Sequence, residues 1–221
     1  MTFTIIGLDK KRKEIGIATR TKLVAGGADI SAAKFPLGAV ATQAAMNVSY
    51  KEEALELLKT LEPKKVIERL VKHDLHKQFR QVMVMNFEGQ SSAYTGVKND
   101  DWAGHISGNH YICAGNTLTS EKVLTAMAHT FESSKSRFLV SRLMSSLEAG
   151  EIAGGDWRNI RIGSTALLVV KDKHGLFGVG DRYIDLRIDM STNPIRDLKK
   201  LLKIRLKDDS VYRHNRTLSP Y

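Results

Sequence analysis

Met1-Thr2-Phe3-Thr4-Ile5-Ile6-Gly7-Leu8-Asp9 opens the chain, runs into Lys10-Lys11-Arg12-Lys13 and comes back as Glu14-Ile15-Gly16-Ile17-Ala18-Thr19-Arg20. Phe3, Ile5 and Ile6 mark the first stretch as a buried strand, and Ile15 and Ile17 alternate along the second. The four cations between them read as a solvated hairpin turn. Such a hairpin holds Thr2 rigidly. Thr2 is also a small residue after Met1, so removal of Met1 would leave it as the new terminus. An N-terminal Thr carries a hydroxyl and a free amine on one residue. The amine, with an ordinary pKa of about 7.7–8.0, can take the hydroxyl proton and activate it as a nucleophile. The plain alternative is a strand that begins at residue 2 for no chemical reason.

Outward from the hairpin, Gly26-Gly27 breaks the chain and Leu37 to Thr42 reads as a third strand. Ser49 to Glu52 has the form of a capping box. The helix after it carries Ala54, Leu57, Leu58 and Leu61 on one stripe. Pro63 suits the first turn of a second helix, with Val66, Ile67, Leu70 and Val71 inward. Strands follow at 81–87, 91–95 and, singly or as a pair, 105–113. Ser120 caps a helix bearing Val123, Met127 and Phe131, and the next carries Leu139, Leu143 and Leu147. Residues 165–170 are apolar without alternation, as in a central strand. Tyr183–Ile188 is a last strand, and Asn193-Pro194 starts a last helix.

This order of strands, helix pair, strands, helix pair, strands, helix lacks strict βαβ alternation and argues against a doubly wound parallel sheet. Two antiparallel sheets face to face with helices outside, an α-β-β-α sandwich of α+β class, would bury the most apolar surface. The expected organisation is one domain over residues 1–221, with a basic polar tail from about residue 205.

The chain has no apolar run of 18 residues and no secretory pattern, so a membrane span is not expected and a cytoplasmic protein is. The lone Cys113 lies in an apolar setting and reads as a small core residue. The net charge of +10 would permit nucleic-acid binding. It clusters at Lys10–Lys13 and between Lys199 and Arg216, with no nucleic-acid signature, and is read as a solvated turn and helix face. It also suits an anionic small substrate. Phosphate-binding, zinc-protease, paired-Cys and Gly-x-Ser-x-Gly motifs are missing. His73 and His76 could share a metal, but they lie among Lys72, Lys77 and Arg80 and are read as surface residues.

Polar groups gather at strand ends and loops, where sites usually lie. They are Thr42-Gln43 leading to Asn47, Trp102-Ala-Gly-His105, Gly115-Asn116, Gly154-Gly155-Asp156, and Asp185, Arg187 and Asp189 on one strand face. Lys34 stands alone in an apolar segment. Near Thr2 it would lower the amine's pKa by like-charge repulsion; otherwise its stem packs and its ammonium reaches water.

Taken in order, Met-Thr-Phe-Thr-Ile5, Ile17-Ala-Thr-Arg20, Gly38-Ala-Val-Ala-Thr-Gln43, Trp102-Ala-Gly-His105, Gly115-Asn116, Glu148-Ala-Gly-x-x-x-Gly-Gly-Asp156, Ala166-Leu-Leu-Val-Val170 and Asp185-Leu-Arg-x-Asp189 resemble the family called domain of unknown function 1028, from residue 1 to about 204. That family is regarded as similar to the N-terminal-nucleophile (Ntn) hydrolases. The resemblance implies a four-layer α-β-β-α sandwich and an amidohydrolase or peptidase-like activity. A looser likeness of Gly16–Arg20 and Gly26-Gly27 to proteasome β-type subunits makes Lys34 the candidate for the lysine beside the nucleophile. The chain departs from the family where Gly-Gly-Asp-x-Arg-Gly-x-Gln-Ser becomes the longer stretch from Gly154 to Ser164. It departs again where Cys113-Ala114 replaces a Gln before Gly-Asn.

Two readings follow. In the first, Thr2 attacks a C–N bond of a small-molecule substrate with no metal or cofactor. Lys34 or Arg20 tunes charge, and Asn116 or groups near Thr42-Gln43 hold the oxyanion. Asn47, Trp102, His105, Asp156 and Arg187 shape the substrate site. In the second, the same fold is a non-catalytic small-molecule-binding or protein-interaction domain. A homodimer is expected in either case, as the commonest assembly.

Overall fold

The computed structural model describes residues 1–134, 136, 138–156, 158 and 161–214; at residue 177 and from residue 208 onward only the backbone is described. The opening hairpin is β1 (Thr2–Asp9) with β2 (Glu14–Thr21). It is in register from Asp9 opposite Glu14 to Thr2 opposite Thr21. Asp9 closes the turn by accepting the Arg12 backbone N–H at 3.0 Å. The hairpin lies at the middle of a six-stranded antiparallel sheet. On one side are β9 (Gly163–Lys171) and β10 (Arg182–Ser191), on the other β8 (Tyr111–Asn116) and β7 (Gly104–Gly108), in the order β10-β9-β2-β1-β8-β7. A second antiparallel sheet runs β3 (Ser31–Lys34), β4 (Gly38–Ala44), β5 (Arg80–Asn86), β6 (Ser91–Thr95).

Among the described residues six α-helices complete a mixed α+β fold: α1 (Gly26–Ile30), α2 (Tyr50–Leu57), α3 (Pro63–Lys72), α4 (Lys122–Ser133), α5 (Leu139–Ile152) and α6 (Pro194–His214). Alternation along β1 divides its side chains between two cores. Phe3 and Ile5 join Met127, Phe131, Leu143 and Leu198 from α4, α5 and α6. Ile6 and Leu8 join Ala39, Ala41, Met83 and Met85 from the second sheet. A third core sets Val40, Val82 and Val84 against Tyr50, Val66 and Leu70 of α2 and α3. The cross-strand pair Gly7–Gly16 makes the notch that seats the helices. A Cβ at Gly7 would stand 2.7 Å from the Phe131 ring, and one at Gly16 would stand 2.7 Å from Leu143.

Several expectations are corrected. The break at Gly26-Gly27 is the start of a short helix, followed by β3, a strand the sequence reading did not foresee. Ser49 makes no side-chain cap. Instead Asn47 Oδ1 accepts the Ser49 N–H (3.2 Å) and hydroxyl (2.8 Å) to turn the chain into α2. The stretch 105–113 is two strands, β7 and β8. The last helix continues to His214, past the point where a tail was expected; residues 215–221 lie outside the described residues. No helix among the described residues is long and apolar enough to cross a membrane.

Candidate functional site

The seam between the two sheets is hydrocarbon along most of its length and turns polar at one end. Inward positions run Leu8, Ile6, then Thr4 and Thr2 on β1, and Ile15, Ile17, then Thr19 and Thr21 on β2. They run Ala39, Ala41, then Gln43 on β4; Met85, Met83, then Gln81 on β5; and Ile112, Ala114, then Asn116 on β8. The antiparallel pairings Thr2–Thr21, Thr2–Asn116 and Gln43–Gln81 bring these five strand ends together.

Buried polar groups must find partners, and these do. The Thr19 and Thr4 hydroxyls meet at 2.7 Å, and Thr4 donates to Gln43 Oε1 at 2.7 Å. Gln43 Nε2 donates to Gln81 Oε1 at 2.6 Å, and Asn116 Nδ2 donates to the same oxygen at 3.0 Å. Gln81 Nε2 in turn holds Thr95 Oγ1 and the Gly104 and Gly115 carbonyls. Gln81 is fully buried and knots both sheets together; sequence reading passed over it. Its signal was one amide at the head of the apolar run Val82-Met83-Val84-Met85.

Thr2 sits at the outer end of this chain, 6% exposed, with its hydroxyl 2.9 Å from that of Thr21. Thr21 Oγ1 donates to the Met1 carbonyl at 3.2 Å. A hydroxyl has one proton, so Thr2 is the donor in the Thr2–Thr21 contact. Thr2 also lines an open cleft of about 570 Å³ together with Lys22, Lys98, Asp100, Asn116 and Arg158.

Asp156 is placed by a backbone bridge to Leu118 and is buried behind the cleft. It takes Lys22 Nζ at 3.1 Å, and Arg158 grips both its oxygens at 3.0 and 3.1 Å. Burial pushes the Asp156 carboxyl up, but hydrogen bonds from Arg158 and Lys22 outweigh it and hold the pKa below the usual range. The Met1 amine is lowered to about 6, by burial first and then by the Arg158 charge. Lys22 adds to that lowering and was also missed in the sequence. The hairpin register sets Thr21 opposite Thr2, so the residue after it was the one to examine.

The other expected site residues scatter. Arg20 is fully buried on the opposite face of β2, where it braces the strand end through the Thr21 carbonyl (2.5 Å) and the Arg161 carbonyl (2.7 Å). Its Nε is 3.7 Å from Glu151 Oε2. Burial lowers the Arg20 pKa and raises that of Glu151. Thr42 is buried on the Val40 face of β4, turned away from the seam. Trp102 packs on the helix-side core. His105 is exposed on β7, its Nδ1 3.0 Å from Thr95 Oγ1. Asn47 serves the start of α2.

Lys34 is corrected outright: it does not stand beside Thr2. β3 pairs with β4 so that Lys34 faces Gly38, at the opposite end of β4 from Gln43. It is exposed there and lines a separate cavity of about 710 Å³ with Asp172, Asp181 and Asp185. Arg187 lines that same cavity, with Asp189 at 3.3 Å. Asp185, Arg187 and Asp189 are all exposed on one strand face, as the alternation predicted.

A third cavity, about 470 Å³, lies over the ends of α5 and α6, lined by Glu148, Glu151, Asp156, Arg161 and Arg196. Met1 lines both this cavity and the Thr2 cleft. Cys113 is buried, and burial raises its thiol pKa, as befits a core residue. Among the described residues no group of three or more His, Cys, Asp or Glu side chains could hold a metal ion.

The sequence model of DUF1028, described as a family of unknown function, matches residues 2–198. A crystal structure of a DUF1028 protein from Silicibacter pomeroyi is similar, with a TM-score of 0.82 and 29% identity over 91% of this chain and 84% of that one. No curated protein matches the chain.

Proposed function

Because this chain belongs to the DUF1028 family, whose function is unknown, its chemistry has to be read from its own residues, and we propose that it is an Ntn-type amidohydrolase with Thr2 as nucleophile. In this reading the two sheets and their helices form a four-layer α-β-β-α sandwich, and the enzyme cleaves the C–N bond of a small substrate. The observation that carries it is the setting of Thr2. It is the first residue of a central strand, held by a hydroxyl partner at 2.9 Å, yet it lines a cleft rich in charge.

Removal of Met1 frees the Thr2 amine. Lys22 and Arg158, which already depress the Met1 amine, then favour the neutral amine, the form that acts as a base. The Thr2 hydroxyl adds to the amide carbonyl carbon and passes its proton to the amine. The tetrahedral intermediate expels the leaving amine, which takes that proton, and an ester on Thr2 remains. Water adds to the ester, its proton going to the Thr2 amine, which returns it to Thr2 Oγ1 as that oxygen leaves and the acid is released. Asn116 donates one side-chain N–H to Gln81; the second N–H of the amide is available to the oxyanion.

A peptide epoxyketone tests this, because its ketone takes the hydroxyl and its epoxide takes the amine of the same residue. Chain lacking Met1 should gain the whole probe mass at Thr2. Equal labelling of the Thr2→Ala variant, or retention of Met1 by protein from its natural host, would sink the proposal.

A further inference from the structure

The two cavities that meet at residue 1 differ in charge. The Thr2 cleft presents Lys22, Lys98 and Arg158 against Asp100. Its neighbour presents Glu148, Glu151 and Asp156 against Arg161 and Arg196. Met1 lines both of them. Its carbonyl is held by the Thr21 hydroxyl at 3.2 Å and the Lys22 backbone N–H at 3.4 Å, and its side chain rests half-buried on the helix-side core.

Resting on the nucleophile reading, we propose that loss of Met1 joins the two cavities into one trough centred on Thr2, and that this trough takes a short peptide with both ends free. The peptide's amine lies in the acidic half against Glu151 and Glu148. Its carboxylate lies in the basic half against Lys98 and Lys22. A ligand of a single sign is repelled from one half, whereas a ligand with opposite charges at its two ends is attracted to both. Among the described residues Glu151 Oε2 is buried with no hydrogen-bond partner, and Arg20 Nε approaches it only to 3.7 Å. An ammonium donor would fill that acceptor and remove the cost of leaving it unpaired.

The test separates binding from hydrolysis. Two full chains carrying Thr2→Ala are released from a cleavable fusion, one starting at Met1 and one at residue 2. Titration calorimetry then measures L-alanyl-L-alanine, its N-acetyl form and its C-terminal amide. The chain starting at residue 2 should bind the free dipeptide at least tenfold more tightly than the chain keeping Met1. Blocking either end should weaken binding by tenfold or more. Glu151→Gln should erase the preference for a free amine and keep that for a free carboxylate. If thermal melting shows that variant unfolded, Glu148→Gln, whose Lys199 partner lies 2.7 Å away at the surface, serves instead.

Equal affinity with and without Met1 overturns the proposal. So does indifference to acetylation, which would mark a site for anions alone, or no binding of the dipeptide. Dipeptide binding with no hydrolysis by the Thr2 chain would instead sink the amidohydrolase reading and leave the trough standing.

Discussion

Thr2 gives its hydroxyl proton to Thr21 across 2.9 Å, because the single proton of Thr21 is committed to the Met1 carbonyl. Val in place of Thr21 keeps the shape and removes the acceptor. Thr21→Val should therefore fold, losing about 1 kcal/mol of stability. If Thr2 is the nucleophile, turnover by the chain lacking Met1, in which Thr21 is released from the Met1 carbonyl and can give or take the proton, should fall by about tenfold, since the Thr2 hydroxyl loses a contact worth about 1.4 kcal/mol. Steady-state kinetics with denaturant unfolding checks both; unchanged turnover would show that the Thr2–Thr21 contact has no chemical part.

Lys22 and Lys34 make a paired comparison. Lys22 lies in the Thr2 cleft and Lys34 in another cavity. If the Thr2 amine is the base, Lys22→Ala removes a like charge from beside it, so the acidic limb of the pH–rate profile should move to higher pH. It should also lower kcat/KM at pH 7 by roughly 10-fold or more. Lys34→Ala should leave both unchanged. A loss from Lys34→Ala equal to that from Lys22→Ala would contradict this placement.

The Met1 amine predicts a pH dependence of stability in chain that keeps it. Its pKa is about 6 folded against an ordinary value of 8.0. Between those values the unfolded chain binds more protons, so stability rises with pH across that window and is lowest below about pH 6. N-terminal acetylation removes the group. The difference in unfolding free energy between free and acetylated chain should therefore change between pH 6 and pH 8 and be flat above. A flat difference throughout would mean an amine open to water.

Gln81→Leu should be among the costlier single changes. It strips an acceptor from Gln43 and Asn116 and a donor from the Gly104 and Gly115 carbonyls. With each buried orphan worth about 1–3 kcal/mol, a loss of about 3 kcal/mol or more is expected, read as a drop of roughly 10 °C in Tm. Loss of under 1 kcal/mol would mean that water replaces the amide.

The strands and main helices were legible because their apolar periods are strong: Ile15 and Ile17 in β2, the unbroken run in β9, the Leu stripe of α5. The short pieces α1 and β3 were not, since five- and four-residue elements carry too few periods to register. Thr2 was singled out as the residue after Met1, and Gln43 and Asn116 because each ends an apolar strand; the pairings bring all three to one end of the seam. Lys34 was misplaced because distance along the chain says nothing of strand direction, and the antiparallel pairing of β3 with β4 carries it to the far end. The capping pattern at Ser49 lost to Asn47, which reaches the same backbone N–H from two residues earlier.

The place of Met1 in the lining of both cavities has a practical consequence. Any purification handle fused ahead of it would keep Thr2 in amide linkage. If Thr2 is the nucleophile, substrate screens run on such material would stay silent whatever compounds they contained. An authentic front end is therefore the condition under which silence from this protein would carry meaning.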